Sequence, residues 1–105
     1  MRRGTTPTHI FKTKVDLTQA SEMFITYKQN SEIKVEKSIE DITIEADYEQ
    51  LTTTLTTTLT QAETLTFSTL GSVEIQVRVK FPDGKALASN IIKRPAGAIL
   101  KEGII

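Results

Sequence analysis

The 105 residues include no cysteine, no tryptophan and a single histidine, His9. The missing cysteine removes disulfides, thiolate nucleophiles and most zinc sites together. It suits a reducing interior without requiring one. Any catalytic triad, general-base pair or histidine-based metal site would have to use His9, and its neighbours Thr8 and Ile10 offer nothing to such a group. The five glycines, Gly4, Gly71, Gly84, Gly97 and Gly103, stand apart and form no phosphate loop, and no serine lies in a nucleophile elbow. No apolar run approaches the ~18 residues that span a bilayer. The basic start, Met1-Arg2-Arg3, is followed by Gly4-Thr5-Thr6-Pro7 and not by the apolar stretch of a signal peptide.

Apolar residues are also sparse, with 38% hydrophobic residues and only six aromatic ones by count. A chain of this length buries about 65% of the surface its unfolded form exposes, enough for one modest core. The expectation is one domain over residues 1–105, with a thin core whose stability draws partly on neighbours.

What is present is charge in blocks. The net charge is zero, yet residues 1–15 hold Arg2, Arg3, Lys12 and Lys14 with no acid. Residues 16–77 hold eleven acids against Lys28, Lys34 and Lys37, and residues 78–105 hold six basic residues against Asp83 and Glu102. Either the terminal strands pair with acidic central ones, or the surface is bipolar and copies meet head to tail.

Strand patterns dominate. Val73-Glu74-Ile75-Gln76-Val77-Arg78-Val79-Lys80-Phe81 alternates without a break, which only a strand converts into one apolar face. Pro82-Asp83-Gly84-Lys85 then predicts a tight hairpin with positive φ at Asp-Gly, and a return strand from Ala86 to about Ile92. Glu22 to Gln29 predicts a strand with Met23, Ile25 and Tyr27 on one face. Asn30-Ser31 is a turn, and Glu32 to Lys37 returns with Ile33 and Val35 inward. Ser38–Asp41 connects to a short strand at Ile42–Glu45, and His9 to Val15 is the first strand.

Residues 51–60 read two ways. Leu51, Leu55 and Leu59 are spaced as on a helix, but seven of these ten residues are threonines, whose β-branching opposes one. As a strand the three leucines share a face with Thr53 and Thr57, and an exposed or edge strand is expected. A threonine array of this kind also suits ice or carbohydrate. Leu17-Thr18-Gln19-Ala20 recurs as Leu59-Thr60-Gln61-Ala62, and both predict one-turn helical corners crossing between sheets, with helix-start caps from Thr60 and Glu63 in the second and from Ser21 or Thr18 near Glu22 in the first. Pro95 ends the strand pattern. The closing Ile104-Ile105 is either a last strand on the core or a contact for another chain.

The acidic pairs Glu40-Asp41 and Glu45/Asp47 fall in or beside a turn, where acids are favoured for solvation, and Asp47 with Glu49 lacks the ligand spacing and glycine of a calcium loop. Arg2-Arg3 and Lys93-Arg94 are doublets, short of the basic stripe with stacking aromatics that nucleic acid requires as a primary partner. No cofactor, metal site or small-molecule substrate is expected, and His9 is expected at the surface or a strand edge. The class is all-β: a small antiparallel β-sandwich with one or two short helical turns, the immunoglobulin-like arrangement being one topology the pattern admits.

Arg3-Gly4-Thr5-Thr6-Pro7-Thr8-His9, with Leu59-Thr60-Gln61-Ala62-Glu63-Thr64, Val73 to Val79 and Ala86-Leu87-Ala88-Ser89, resembles a family of small proteins encoded by phages and prophages of Gram-positive bacteria, among virion-morphogenesis genes. The Leu/Thr run at 51–58 departs from that pattern. The resemblance implies a non-enzymatic structural or assembly protein of the head, connector or tail. Its partners would be other virion proteins or copies of itself, in the virion and, during assembly, the host cytoplasm. Arg2, Arg3, Ile99, Leu100, Ile104 and Ile105 are the candidate contact residues. The alternative is a free-standing β-sandwich module that binds a host protein or glycan.

Overall fold

Alternation of Val73, Ile75, Val77 and Val79 with Glu74, Gln76, Arg78 and Lys80 gives an extended chain one dry face and one wet face. A computed structural model of the protein describes residues 3–68, 71–89 and the backbone of 92–95. It places this run in β6 (Ser72–Lys80), with all four aliphatic residues buried. The other elements are β1 (Thr8–Thr13), β2 (Glu22–Gln29), β3 (Glu32–Ser38), a 3-10 turn at Ile39–Asp41, β4 (Thr43–Asp47), β5 (Thr52–Thr58), helix α1 (Gln61–Leu65), β7 (Ala86–Ala88) and β8 (Ile92–Pro95).

The strands form two antiparallel sheets, one in the order β1-β5-β4 and one in the order β3-β2-β6-β7, with β8 also on β6. Three connections pass between the sheets: β1 to β2, β3 to β4, and β5 through α1 to β6. Met23, Ile25, Tyr27, Val35 and the inward residues of β6 face Leu55 and Leu59, with Leu17, Ile42 and Phe67 of the connections closing the core between them. Burying each of these side chains contributes about 1.5–3 kcal/mol relative to leaving it exposed. The order departs from the immunoglobulin arrangement. There the first, second, fifth and fourth strands share a sheet, whereas β2 here lies in the other sheet, between β3 and β6.

Several local expectations are corrected by the register. Tyr27 pairs with Val35 but Lys28 with Ile33, so Lys34 is an extra residue and the strand bulges there. The bulge reverses the side of everything before it, which turns Ile33 outward, 58% exposed, while Val35 and Lys37 stay inward. The Asn30-Ser31 turn has φ of 53° and 64°, the two left-handed residues of a tight type I′ hairpin. At the next hairpin only Gly84 has positive φ. Phe81 N–H bonds Lys85 O at 2.8 Å and Gly84 N–H bonds Phe81 O at 3.0 Å, giving a three-residue loop where a two-residue Asp-Gly turn is predicted. The return strand is split into β7 and β8.

The threonine-rich run is a strand, but it is the centre of its sheet and not an edge. Leu55 and Leu59 are buried. Leu51 instead sits in the β4–β5 turn at φ 55°, 71% exposed. Of the two Leu-Thr-Gln-Ala corners, the second forms α1 with a full capping box, Glu63 N–H to Thr60 Oγ1 at 3.1 Å and Thr60 N–H to Glu63 Oε1 at 2.8 Å. The first is a single turn closed by Ala20 N–H to Leu17 O at 3.2 Å. Asp16 lies before that turn and accepts from both the hydroxyl and the N–H of Thr18, which holds its carboxyl below the usual range. These bonds within the turn compete with a helical start.

Candidate interaction surfaces

Polar side chains buried between the sheets hold the connections in place. Thr53 and Thr57 point inward from β5 and are 2% exposed. Thr53 Oγ1 accepts from Leu17 N–H at 3.4 Å, and Thr57 donates to Asp41 O at 3.1 Å. One buried hydroxyl therefore anchors the β1–β2 crossing and the other the β3–β4 crossing. On α1, the fully buried Thr64 donates to the Thr5 carbonyl at 2.9 Å and also lies 3.1 Å from Gln61 O. Gln29 does the same at the end of β2. Its Oε1 accepts from Ser68 N–H at 2.6 Å, and its Nε2 donates to the carbonyls of Ser68 and Gly71 at 2.8 and 3.1 Å. Each bond gives a backbone group of a connecting segment a fixed partner.

One ion pair joins the larger sheet to α1. Lys37 Nζ lies 2.7 Å from Glu63 Oε1, with the side chains 11% and 28% exposed. Burial alone pushes the Glu63 carboxyl up, but the Lys37 ammonium and the N–H and hydroxyl of Thr60 together hold it below the usual range. Nearby, the Tyr27 hydroxyl and His9 Nδ1 are 2.7 Å apart. Burial, with the Glu63 charge adding to it, pushes the Tyr27 phenol well above its ordinary value, so it remains a neutral O–H. His9 is thus on an edge strand, as the sequence suggests, but it faces into the sandwich, half-buried against Tyr27 with ring centres 5.5 Å apart. His9, Tyr27 and Phe67 form a row of aromatic contacts, with Tyr27 and Phe67 ring centres 6.3 Å apart.

The acids lie elsewhere. Glu40, Asp41, Glu45, Asp47 and Glu49 are exposed, and Asp47 caps its turn by accepting from the N–H groups of Glu49 and Gln50 at 3.0 and 3.2 Å. Among the described residues no three of His, Cys, Asp or Glu come together as metal ligands, and no helix is long and apolar enough to cross a membrane. Of the candidate contact residues, Arg3 is half-buried and its guanidinium donates to Leu65 O at 3.1 Å, at the carbonyl end of α1. Arg2, Ile99, Leu100, Ile104 and Ile105 lie outside the described residues. The charge blocks do not pair as simple opposites. The basic β1 lies on the uncharged β5, while β8 lies on β6 with Lys93 opposite Glu74.

Among the described residues, two surfaces stand out by their chemistry. The outer face of the smaller sheet carries Thr52, Thr54, Thr56 and Thr58 in one row. Thr43 stands opposite Thr56 and Thr8 opposite Thr58, the last two sharing a hydrogen bond of 2.9 Å. The other is a cavity of about 480 Å³ at the open side of the sandwich between β1 and β7, lined chiefly by Ile10, Val15, Leu17, Val77, Val79 and Leu87. Ile10, Val15 and Leu87 are 61%, 45% and 46% exposed, so three of the chain's large exposed apolar side chains gather at this one mouth. The chain matches no protein-family model and no curated protein. Sequence reasoning missed this mouth because its residues come from β1, β6 and β7, brought together only by the stacking of the two sheets.

Proposed function

We propose that this chain is a non-enzymatic structural subunit of a phage particle, in the head, connector or tail, acting through protein–protein contacts with other virion proteins or copies of itself. The observation that supports it best is the apolar mouth between β1 and β7, where Ile10, Val15 and Leu87 are exposed beside edges that no further described strand pairs. Such a concentration of apolar surface on a small, thin-cored domain suits a surface that a neighbour covers. The resemblance of residues 3–9 and the blocks after them to virion-morphogenesis proteins supplies the setting: assembly in the host cytoplasm, then residence in the virion. The test is mass spectrometry of gradient-purified particles from a phage or induced prophage that encodes the chain. Its peptides are expected in particles at stoichiometric amounts, and their absence from particles while abundant in the lysate would refute the reading.

A binding module for a host protein or glycan is the second reading, favoured by the hydroxyl-bearing row Thr52, Thr54, Thr56 and Thr58, whose spacing of about 6.8 Å along the strand presents a regular polar surface. Binding on a glycan array that is lost on replacing Thr54 and Thr56 with valine would favour it.

A further inference from the structure

The four sheet edges are not equivalent. β3 carries the Lys34 bulge and the inward Lys37, β4 carries outward Glu45 and Asp47, and the edge beside β6 is shared by β7, three residues long, and β8, four residues ending at Pro95. Bulges, inward charges, outward charges (lysine above all), proline and short length are the devices by which sheet edges avoid pairing. Of the four edges β1 is the least protected. It runs six residues in unbroken register with β5, has no proline, and carries one outward charge, Lys12. Among the described residues β5 is its only strand neighbour, so its far side presents backbone N–H and C=O groups beside the apolar mouth.

We propose that β1 pairs antiparallel with β1 of a second copy, about a two-fold axis at Ile10, joining two three-stranded sheets into one. This deepens the assembly reading by naming the partner and the strand, and it rests on that reading. The register carries it. With Ile10 opposite Ile10, Thr8 meets Lys12 and His9 meets Phe11, so the exposed isoleucines cover one another and no like charges stand opposite. The two Lys12 positions fall four residues apart along the paired strands, about 14 Å, beyond the roughly 8–10 Å over which salt leaves exposed charges in contact. The same axis sets the two apolar mouths side by side, placing Val15 and Leu87 near the junction. Isologous pairing of this kind closes on itself as a dimer, the commonest symmetry of soluble assemblies.

The experiment uses the full chain. Sedimentation velocity across a dilution series is expected to show a monomer–dimer equilibrium, and Ile10→Lys, which sets two lysines face to face at the axis, is expected to weaken it roughly tenfold or more. Because the chain lacks cysteine, Ile10→Cys gives a clean second readout. Residues directly opposite in an antiparallel pair lie about 4.5–5.5 Å apart at Cα, within disulfide reach. A disulfide-linked dimer is therefore expected on mild oxidation, whereas Ile33→Cys, equally exposed on β3, is expected to give none. A monomer at every concentration, or a dimer indifferent to Ile10→Lys and not cross-linked through position 10, overturns the pairing. A chain found in particles but showing either result overturns the β1 pairing alone, and a chain that dimerises through β1 but is absent from particles overturns the virion setting alone.

Discussion

Replacing Glu63 with alanine tests how much of the stability passes through the contact between the larger sheet and α1. The carboxylate accepts from Lys37 and from the N–H of Thr60, and the Glu63 N–H in turn bonds the Thr60 hydroxyl. Loss of the side chain removes half of the capping box, worth about 1 kcal/mol. It also leaves the Lys37 ammonium, 11% exposed, with no carboxylate. Breaking a fully buried pair costs about 3–5 kcal/mol, but the part-exposed Glu63 end is screened by water, and Lys37 can lean towards solvent. The sum is about 2–3 kcal/mol, or a fall in Tm of about 10–20 °C for a domain of this size. Lys37→Met is expected to cost less, about 1 kcal/mol, because an apolar chain fills the site and the Glu63 carboxylate left behind is the more exposed partner and keeps the Thr60 N–H. Urea unfolding followed by circular dichroism on both single variants and the double variant gives the coupling directly, expected at about 1–2 kcal/mol. Additivity within about 0.3 kcal/mol would refute the argument that the pair acts as a unit. The pH dependence follows with a definite sign. The folded carboxyl of Glu63 sits below its unfolded value, so its contribution is present above the unfolded pKa, near 4.3. It is lost as pH falls through the lower, folded value. Stability of the parent should therefore fall more steeply on acidification below about pH 4.5 than that of Glu63→Gln, which has no carboxyl to protonate.

Three further outcomes are expected. Thr57→Val keeps the shape but leaves the Asp41 carbonyl without its donor, which should cost about 1–2 kcal/mol in the same urea assay, whereas Thr56→Val on the outer face of β5 should cost less than about 0.5 kcal/mol. Leu51→Gly should raise the unfolding free energy by about 0.5–1 kcal/mol, because Leu51 holds a left-handed φ of 55° while exposing its side chain; a fall would mean that Leu51 packs against something in solution. Gly71→Ala should lower stability by more than about 1 kcal/mol, since φ there is +86° and an added Cβ would sit 2.7 Å from Asn30 Oδ1. The same change at Gly84 meets open space, so it should cost only the backbone strain.

Where alternation is strict and long, the sequence is enough. β2 and β6 read directly because a period of two leaves a strand as the only geometry that sorts Met23, Ile25 and Tyr27, or Val73 to Val79, onto one side. The capping box at Thr60 and Glu63 is legible for the same reason: both partners are three residues apart and act locally. Ile33 misleads because a bulge is decided by the partner strand, against which one extra residue must be absorbed. The threonines of β5 mislead because the run looks solvent-facing by composition. Two of them are buried only because the crossings at Leu17 and Asp41 offer a backbone N–H and carbonyl to their hydroxyls.

From the sequence alone come the all-β class, the strands at 22–29 and 73–81, the turns that end them, and the absence of cysteine chemistry. These rest on local backbone preference and on side-chain period, which need no knowledge of distant residues. The tertiary structure decided which strands lie at edges, that His9 meets Tyr27 across eighteen positions, that Lys37 turns inward to Glu63, and that Ile10, Val15 and Leu87 share one open mouth. Each depends on how two sheets stack and on the register within them, a property of the assembled core that no single segment encodes.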